Sequence, residues 1–146
     1  MRRVCRTTSL LLAAVACCAW CAACVREVAA QEKDHPVVAA VKASVKDPSK
    51  PFAMLVHIKI KDGAATKFET AFAHAITATR KEKGNLAYDL NRSVKSPNEY
   101  IVYERWQNLA ALQAHVSSAH IQALGAATGA LRAGPARVEV LVPAGE

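Results

Sequence analysis

A carboxylate, an indole ring and two imidazoles occur close together in this sequence, between positions 104 and 120. Glu104 and Trp106 lie two residues apart in an alternating stretch, which predicts that both face the same side of a β-strand. His115 and His120 follow in a stretch whose apolar residues recur at helical spacing. An imidazole can act as a general base near neutral pH, and an indole can stack on a flat aromatic ligand. The group therefore predicts a small-molecule pocket at a strand-to-helix corner, although the same residues could form an ordinary core edge.

Each of these side chains also has a purely structural interpretation. Trp106 could be plain core rather than a pocket wall, and Glu104 could be a buried anchor paired with an N–H or a basic group. His115 could be a hydrogen-bonded ring at the edge of the core instead of a base. We take His115 and His57 as candidate catalytic residues. The candidate substrate-binding residues are Trp106, Glu104, Tyr88 and His120.

A metal site is not expected from the histidines. His115 and His120 are separated by about 140° on a continuous helix, so they would share a face only if the serines at 117 and 118 interrupt it. No Asp or Cys lies near them in the sequence to complete a ligand set. His57 faces away from Met54 and Val56 on its predicted strand, so it lines the pocket or lies in a subunit interface.

The first 30 residues have the features of a secretion signal. A basic start precedes an apolar run over residues 10–19, and Val28, Ala29 and Ala30 resemble an export cleavage site. The run is short for a membrane-spanning helix, which needs about 20 apolar residues. All five cysteines lie in this segment, so cleavage near Ala30 would leave a mature protein without cysteine. We expect a periplasmic or secreted protein with no membrane span in the mature chain; a lipid anchor on one of the cysteines is the alternative.

The charge of the chain gives little support to nucleic-acid binding. The full sequence has a formal net charge of +7, and removing residues 1–30 leaves 15 basic and 11 acidic residues, a charge of +4. Lys and Arg are scattered, and aromatic residues do not alternate with basic ones. We therefore expect a solvated, mildly basic surface.

Hydrophobic periodicity predicts an α+β domain over residues 52–142. A lead-in over residues 31–51, with valines at helical spacing, is expected to be a linker or an N-terminal arm that packs on the domain without chemistry of its own, and its His35 is expected at the surface. After it come, in order, strand, helix, strand, strand, helix, helix and strand. Asp62 is expected to cap the first helix of the domain, and Leu86 is expected to point inward with Tyr88. This is the split βαβ order of the ferredoxin-like fold. The sheet face away from the helices carries Leu55, Ile101, Tyr103 and Leu141, which predicts a homodimer packed sheet to sheet.

Several motifs carry a resemblance to a known family. They are Gly84-x-Leu86-x-Tyr88, Arg92-Ser93, Lys95-Ser-Pro97, Tyr100-x-Val102-x-Glu104-x-Trp106 and Leu109-x-x-Leu112-x-x-His115-x-x-Ser118-x-His120. With them, residues 52–142 resemble an antibiotic biosynthesis monooxygenase (ABM) domain of the quinol-monooxygenase-like branch, followed by a tail over 143–146. The resemblance implies a dimeric α+β barrel of ferredoxin-like subunits, each with a pocket between sheet and helices.

The resemblance also bears on cofactors. Haem-degrading members of this fold use an Asn on the first strand and a late His as iron ligand, whereas this chain has His57 at the first position and Gly125 near the second. This departure argues against haem breakdown, and the sequence contains no Gly-rich dinucleotide loop, so we expect no cofactor. The favoured hypothesis is a cofactor-independent monooxygenase that uses O2 on a quinol or other aromatic substrate in the cell envelope. The alternatives are a non-catalytic, stress-related dimeric barrel that binds a small apolar ligand, and an isomerase of the same fold.

Overall fold

The structure, a computed structural model, describes residues 34–144. The predicted signal segment and its cysteines lie outside these residues. Across the described range, no helix combines the length and the apolar character that a membrane crossing requires. The elements in chain order are α1 (Pro36–Ser44), β1 (Phe52–Lys59), α2 (Ala65–Thr79), β2 (Asn85–Arg92), β3 (Glu99–Trp106), α3 (Leu109–Val116), α4 (Ala119–Thr128), a short 3-10 helix (Gly129–Leu131) and β4 (Arg137–Leu141).

The four strands form one antiparallel sheet in the order β2-β3-β1-β4. The first and third strands of the chain are therefore central and the second and fourth lie at the edges, as the split βαβ connection requires. In the centre of the sheet, Phe52 of β1 pairs with Trp106 of β3, and Met54 pairs with Glu104. The predicted ferredoxin-like α+β fold is confirmed.

The core lies between one face of the sheet and helices α2, α3 and α4. Alternation along β1 and β3 sends every second side chain to this face, and the helices return an apolar stripe onto it. The phenyl rings of Phe68 and Phe72 on α2 lie 4.7 Å apart between centroids, and Phe68 also contacts the ring of Tyr100 at 4.9 Å. The largest side chains with less than 2% exposure are Trp106, Tyr100, Phe52, Phe68, Phe72, Met54, Ile60 and Leu112.

Residues 36–44 of the lead-in form α1, which packs on the domain. Val38 and Val41 are buried in the core, and the helix contacts α3 and β4. Its first residue is Pro36, whose missing N–H costs nothing at that position, and Nδ1 of His35 accepts a hydrogen bond from the backbone N–H of Val37 at 3.3 Å. The segment is therefore an integral layer of the described fold.

Two local predictions are wrong. The residue before α2 is Ala64, without a side-chain cap, while the carboxylate of Asp62 accepts a hydrogen bond from the Asn98 side chain in the neighbouring loop. Leu86 is 51% exposed because the pairing of β2 with β3 shifts between Asn85 and Ala87. Such an irregularity changes which face the extra residue points to.

Candidate active site

A cavity of about 510 Å³ lies between the helix-covered face of the sheet and helices α2 to α4. Most of its wall is apolar, and its volume is in the range of small-molecule sites. The side chains with polar groups in the wall are His35, Tyr88, Glu104, His115 and Arg132. The fold therefore brings three of the sequence-predicted site residues, Tyr88, Glu104 and His115, to one cavity.

Glu104 is a buried carboxyl group at the centre of the sheet. It pairs with Met54 on one side and with Tyr88 on the other, and it is 6% exposed. Its Oε2 accepts a hydrogen bond from the indole Nε1–H of Trp106 at 3.0 Å. Burial raises the pKa of Glu104 to about 7, against the opposing effect of the Trp106 hydrogen bond, and the nearby Glu82 charge adds to the rise. The carboxyl group can therefore exist in either protonation state near neutral pH.

Trp106 does not form part of the cavity wall. Its side chain is fully buried behind Glu104 and His115, and its ring lies 4.6 Å from the His115 ring between centroids, at 42°. The structure thus departs from the prediction that Trp106 stacks on a substrate. Trp106 holds the carboxyl of Glu104 and packs against the imidazole of His115, so it fixes two cavity residues from behind.

His115 forms a close pair with a residue that the sequence analysis did not select. Its Nδ1 lies 2.7 Å from Oε2 of Glu82, which follows α2 in the chain. His115 is 3% exposed, and its ring also contacts Tyr88 at 5.4 Å between centroids. Because an ionised carboxylate only accepts hydrogen bonds, Nδ1 carries the proton in this pair, and Nε2 of the neutral ring keeps its lone pair.

Burial lowers the pKa of His115, and the hydrogen bond from Nδ1 to Glu82 partly opposes this effect. The imidazole is consequently neutral at pH 7, the state in which it can accept a proton. A histidine held by a carboxylate in one tautomer and orientation is a recurrent arrangement for general bases. The position of His115 in the cavity wall therefore combines access to a ligand with a fixed, neutral ring.

The turn at Gly84 brings Glu82 to His115. Gly84 has a φ of 89°, and its carbonyl accepts a hydrogen bond from the backbone N–H of Gln107 at 2.9 Å. A Cβ at this position would lie 2.6 Å from the Cβ of Ala111 on α3, one helical turn before His115. Only glycine allows the turn to approach α3 this closely.

His120 joins the same group because the helix is interrupted. α3 ends at Val116 and α4 begins at Ala119, so the break at the serines, which the sequence left open, is present. Nε2 of His120 lies 3.2 Å from Oε1 of Glu82, 3.2 Å from Oγ1 of Thr79 and 3.3 Å from Oγ of Ser118. His120 is outside the cavity wall, in contrast to its predicted role in substrate binding. It contacts Glu82 through the carboxylate oxygen that His115 does not use.

Glu82, His115 and His120 form a group that could hold a divalent metal ion. One donor atom from each residue lies within 4.8 Å of the others. Two imidazoles and a carboxylate are suitable ligands for Zn²⁺ and related ions. The sequence did not predict this group, because it left the break between α3 and α4 open and Glu82 is 33 positions from His115 in the chain. The same distances of 2.7 and 3.2 Å also satisfy hydrogen bonds, which is how we interpret the group.

His57 lies on the opposite face of the sheet from the cavity. Its Nε2 is buried without a hydrogen-bond partner in the described chain and lies 3.6 Å from Oε2 of Glu139 on β4. The sequence left two positions open for His57, and the structure places it on the outer face, with Leu55 and Ile101. The sheet separates it from Glu104 and His115, so the geometry gives no support to His57 as a base in this cavity.

Glu82, Arg132 and His35 were not predicted from the sequence as site residues. Glu82 stands between lysines in a charged run that resembled a solvated helix end, and Arg132 lies in a loop after the last helix. His35 was taken as a surface residue in a lead-in without chemistry, yet α1 carries it to the cavity wall. Of these three residues, only Glu82 has a feature in the sequence that could have indicated a role, because it is an isolated acidic residue in a basic segment.

Comparison with known proteins places the chain in a family. Residues 51–127 match the family described as antibiotic biosynthesis monooxygenase (ABM). The chain belongs to the ABM family. Rv0793 of Mycobacterium tuberculosis, named "Putative monooxygenase", is 31% identical over 96 residues, which cover 66% of this chain and 94% of Rv0793. YcnE of Bacillus subtilis carries the same name and is 32% identical over 66 residues, which cover 45% of this chain and 70% of YcnE.

Solved structures agree with this assignment. The structure of Rv0793 matches with a TM-score of 0.62 at 31% identity, covering 66% of this chain and 98% of Rv0793. A Caulobacter crescentus protein, named a "putative antibiotic biosynthesis monooxygenase", matches with a TM-score of 0.62 at 28% identity, over 64% of this chain and 90% of its own. The predicted resemblance is confirmed, and these relatives support a monooxygenase-like function. α1 and Arg132 lie outside the residues that the family match covers.

Proposed function

We propose that this ABM protein is a cofactor-independent monooxygenase that acts on a quinol or another electron-rich aromatic compound. The observation that carries the proposal is the pair of Glu82 and His115, with Nδ1 and Oε2 2.7 Å apart, in the wall of a mainly apolar cavity. The monooxygenase names of its relatives point to the same class of reaction.

His115 removes the first proton. Its neutral Nε2 accepts the proton of a phenolic hydroxyl, and the carboxylate of Glu82 stabilises the imidazolium through Nδ1. Removing this proton makes the ring of the substrate electron-rich enough to react with O2. The apolar wall excludes water, which strengthens the interaction between the anion and the imidazolium.

The oxygen chemistry balances without an added reductant. The electron-rich ring transfers electrons to O2, a C–O bond forms at a ring carbon beside a hydroxyl, and His115 returns its proton to the distal oxygen. The hydroperoxide then loses the ring hydrogen as a proton while the O–O bond breaks, which releases water and leaves a hydroxyquinone. One oxygen atom enters the product, the other leaves as water, and the substrate supplies all of the electrons.

Glu104 is the second proton-transfer group in this proposal. With a pKa of about 7 its carboxyl group is partly protonated near neutral pH, and in that state it donates a hydrogen bond to a substrate or peroxide oxygen. Tyr88 lies beside Glu104 on β2 and offers a phenolic hydroxyl to the same space. These donors stabilise negative charge that develops on oxygen.

The test is O2 uptake with hydroquinone by the purified mature protein, without added flavin or metal. We expect uptake above the rate of autoxidation and a decrease of at least about tenfold in His115→Gln. His74→Gln is the matched control because His74 is exposed on α2, and it should retain full activity. Uptake no faster than autoxidation would reject the proposal. Tight quinone binding without turnover would favour the alternative of a non-catalytic binding protein.

We also propose a homodimer built on the outer face of the sheet. Leu55, Ile101 and Tyr103 lie half-buried on that face, and Leu141 is 38% exposed. Contiguous apolar side chains on an uncovered sheet are typical of an association surface. Sedimentation of the mature protein at micromolar concentration tests the proposal, and Tyr103→Glu should shift a dimer to a monomer. A monomeric wild-type protein would contradict it.

Export is proposed on the sequence of residues 1–30 alone. The basic start, the short apolar run and the small residues before position 31 support cleavage near Ala30. Mass spectrometry of the mature N-terminus distinguishes the two routes. A free residue near position 31 supports soluble export, whereas an acylated cysteine supports the lipid anchor.

A further inference from the structure

Arg132 contributes a positive charge to the cavity wall. It follows the 3-10 helix after α4, and its backbone pairs with Ile60 just beyond β1. The segment between Gly129 and Arg132 is closed by a hydrogen bond from the Arg132 N–H to the Gly129 carbonyl at 3.4 Å. Arg132 thus enters the cavity from a backbone anchored on the sheet.

The guanidinium of Arg132 has few protein partners. Nη2 donates to Oγ1 of Thr128 at 3.3 Å, and Nε is buried without any hydrogen-bond partner in the described chain. Arg80, Arg92 and Arg137 each have a carboxylate partner, whereas within residues 34–144 no carboxylate forms an ion pair with Arg132. A buried donor left unpaired is unfavourable, so an acceptor supplied by a ligand would stabilise this arrangement.

The charge of Arg132 acts on the other polar groups of the cavity. Burial is the main cause that raises the pKa of the Tyr88 phenol, and Arg132 opposes this rise, so its charge is felt at the phenol. Among the described residues no ion pair joins Glu104 to Arg132, and the raised pKa of Glu104, about 7, leaves its carboxyl group partly uncharged near neutral pH. The cavity therefore has an uncompensated positive charge next to apolar walls.

Arg132 lies near one end of β1, and the pair of Glu104 and Trp106 lies near the other end. Trp106 and Glu104 pair with Phe52 and Met54 at the start of the strand, whereas Arg132 pairs with Ile60 beyond its end. At about 3.3 Å per residue, the backbones at Met54 and Ile60 are roughly 20 Å apart. Arg132 and His115 line the same cavity from these separate positions, so an acidic group bound at Arg132 must be offset from the ring that faces His115.

We propose that Arg132 forms an anion subsite that binds a carboxylate on a short side chain of the aromatic ligand. The planar guanidinium matches a carboxylate with two parallel hydrogen bonds, and its one side-chain hydrogen bond among the described residues, from Nη2 to Thr128, leaves donors for such a pair. The reacting ring lies between the apolar walls toward Glu104 and His115. The inference deepens the proposed function, on which it rests for the identity of the ring, and it names the substrate class as a hydroquinone with an acidic side chain.

The test measures binding without O2, so that turnover is not needed. The probes are 3-(2,5-dihydroxyphenyl)propanoate, its methyl ester and unsubstituted hydroquinone, titrated by calorimetry into the full mature protein under nitrogen. We expect the acid to bind at least about tenfold more tightly than the ester, since a hydrogen-bonded charge pair is lost in the ester. Equal affinities of acid and ester for the wild-type protein would overturn the inference.

Variants assign the preference to Arg132. Arg132→Met should abolish the difference between acid and ester while ester binding changes little, and Arg132→Lys should retain part of it. Arg137→Met is the matched control because Arg137 is exposed on β4 and pairs with Glu139, and it should behave as the wild type. Circular dichroism checks that each variant folds. An acid preference that persists in a folded Arg132→Met protein would contradict the proposal.

The inference and the proposed function can fail separately. Acid-selective binding without O2 uptake in air would reject the oxygenase and retain the anion subsite. O2 uptake that is equally efficient with hydroquinone and with the acid, together with equal affinities, would retain the oxygenase and reject the subsite.

Discussion

The indole N–H of Trp106 donates its hydrogen bond to the carboxyl group of Glu104, two residues earlier on the same strand, at 3.0 Å. The bond joins two side chains on the helix-covered face of β3, and of the two only Glu104 lies in the cavity wall. Ionisation of the buried Glu104 carboxyl group is unfavourable, because the single hydrogen bond from Trp106 does not replace the lost hydration. The stability of the protein should therefore depend on the protonation of Glu104.

Glu104→Gln should remove this dependence. The folded-state pKa of about 7 lies above the ordinary value of 4.5, so the folded protein binds more protons between these pH values and loses stability as the pH rises through them. Over that window we expect the wild type to lose on the order of 3 kcal/mol of unfolding free energy relative to the variant. Urea unfolding of both proteins from pH 4.5 to 8 measures the difference, and a constant difference across this range would contradict the assignment.

Glu82→Gln should lower activity and move its pH dependence. Without the carboxylate the imidazolium of His115 loses its stabilising partner, so kcat/KM should fall at least about tenfold. Since Glu82 opposes the lowering of the His115 pKa by burial, its removal should shift the acid limb of the pH profile to lower pH. Glu99→Gln, at an exposed ion pair with Lys59, serves as the control and should leave the profile unchanged. A shift toward higher pH in Glu82→Gln would disprove the pairing.

Gly84→Ala should destabilise the protein by about 2 kcal/mol or more, through a positive φ and a collision with Ala111. Gly63→Ala provides the matched control, because Gly63 has a φ of 74° but no atom lies within 4 Å of the place that a Cβ would occupy, so it should cost about 1 kcal/mol. In the double variant Gly84→Ala/Ala111→Gly the steric part should be relieved. Urea unfolding at pH 7 compares all three, and equal losses at the two glycines would rule out the close approach to α3.

Removal of metal ions should leave activity unchanged, whereas added zinc should inhibit it. If protons and not a metal join Glu82, His115 and His120, dialysis against a chelator will leave O2 uptake unchanged. Excess Zn²⁺ should inhibit, because three donor atoms within 4.8 Å can converge on the cation and His115 would no longer accept a proton. His120→Ala should weaken this inhibition. Loss of activity on chelation, restored by a metal, would replace the hydrogen-bonded interpretation with a metal centre.

The sequence was sufficient for the elements and insufficient for the contacts between distant residues. Buried residues recur with the period of the element that carries them, so alternation along β1 and β3 and the helical spacing of α2 indicate the buried side of each element. Glu104 accordingly lies on the buried side of β3, and His115 lies on the buried side of α3. Glu82 is 33 positions from His115, and its approach depends on the turn at Gly84, which no local pattern encodes. The position of His120 depended on whether two serines break a helix, and both outcomes fit the sequence.

The remaining differences concern side chains at boundaries. Leu86 followed the alternation of β2 in sequence, but an irregular pairing near Asn85 turned it to the exterior. The indole of Trp106 shares a face of β3 with Glu104, as predicted, while its separation from the cavity by its own neighbours depends on packing in three dimensions. Composition and spacing cannot distinguish a residue in the wall from one directly behind it.

Helix α1 is attached to the rest of the subunit by the short segment before Phe52, and together with the residue before it this helix supplies His35, Pro36 and Val37 to the cavity. These three wall residues come from outside the shared family region and are separate in the chain from the residues that carry the reacting groups. Exchanging that segment among homologues would alter which molecules gain entry while the proton-transfer apparatus stayed intact. Substrate range in this protein could diverge without any change to its chemistry.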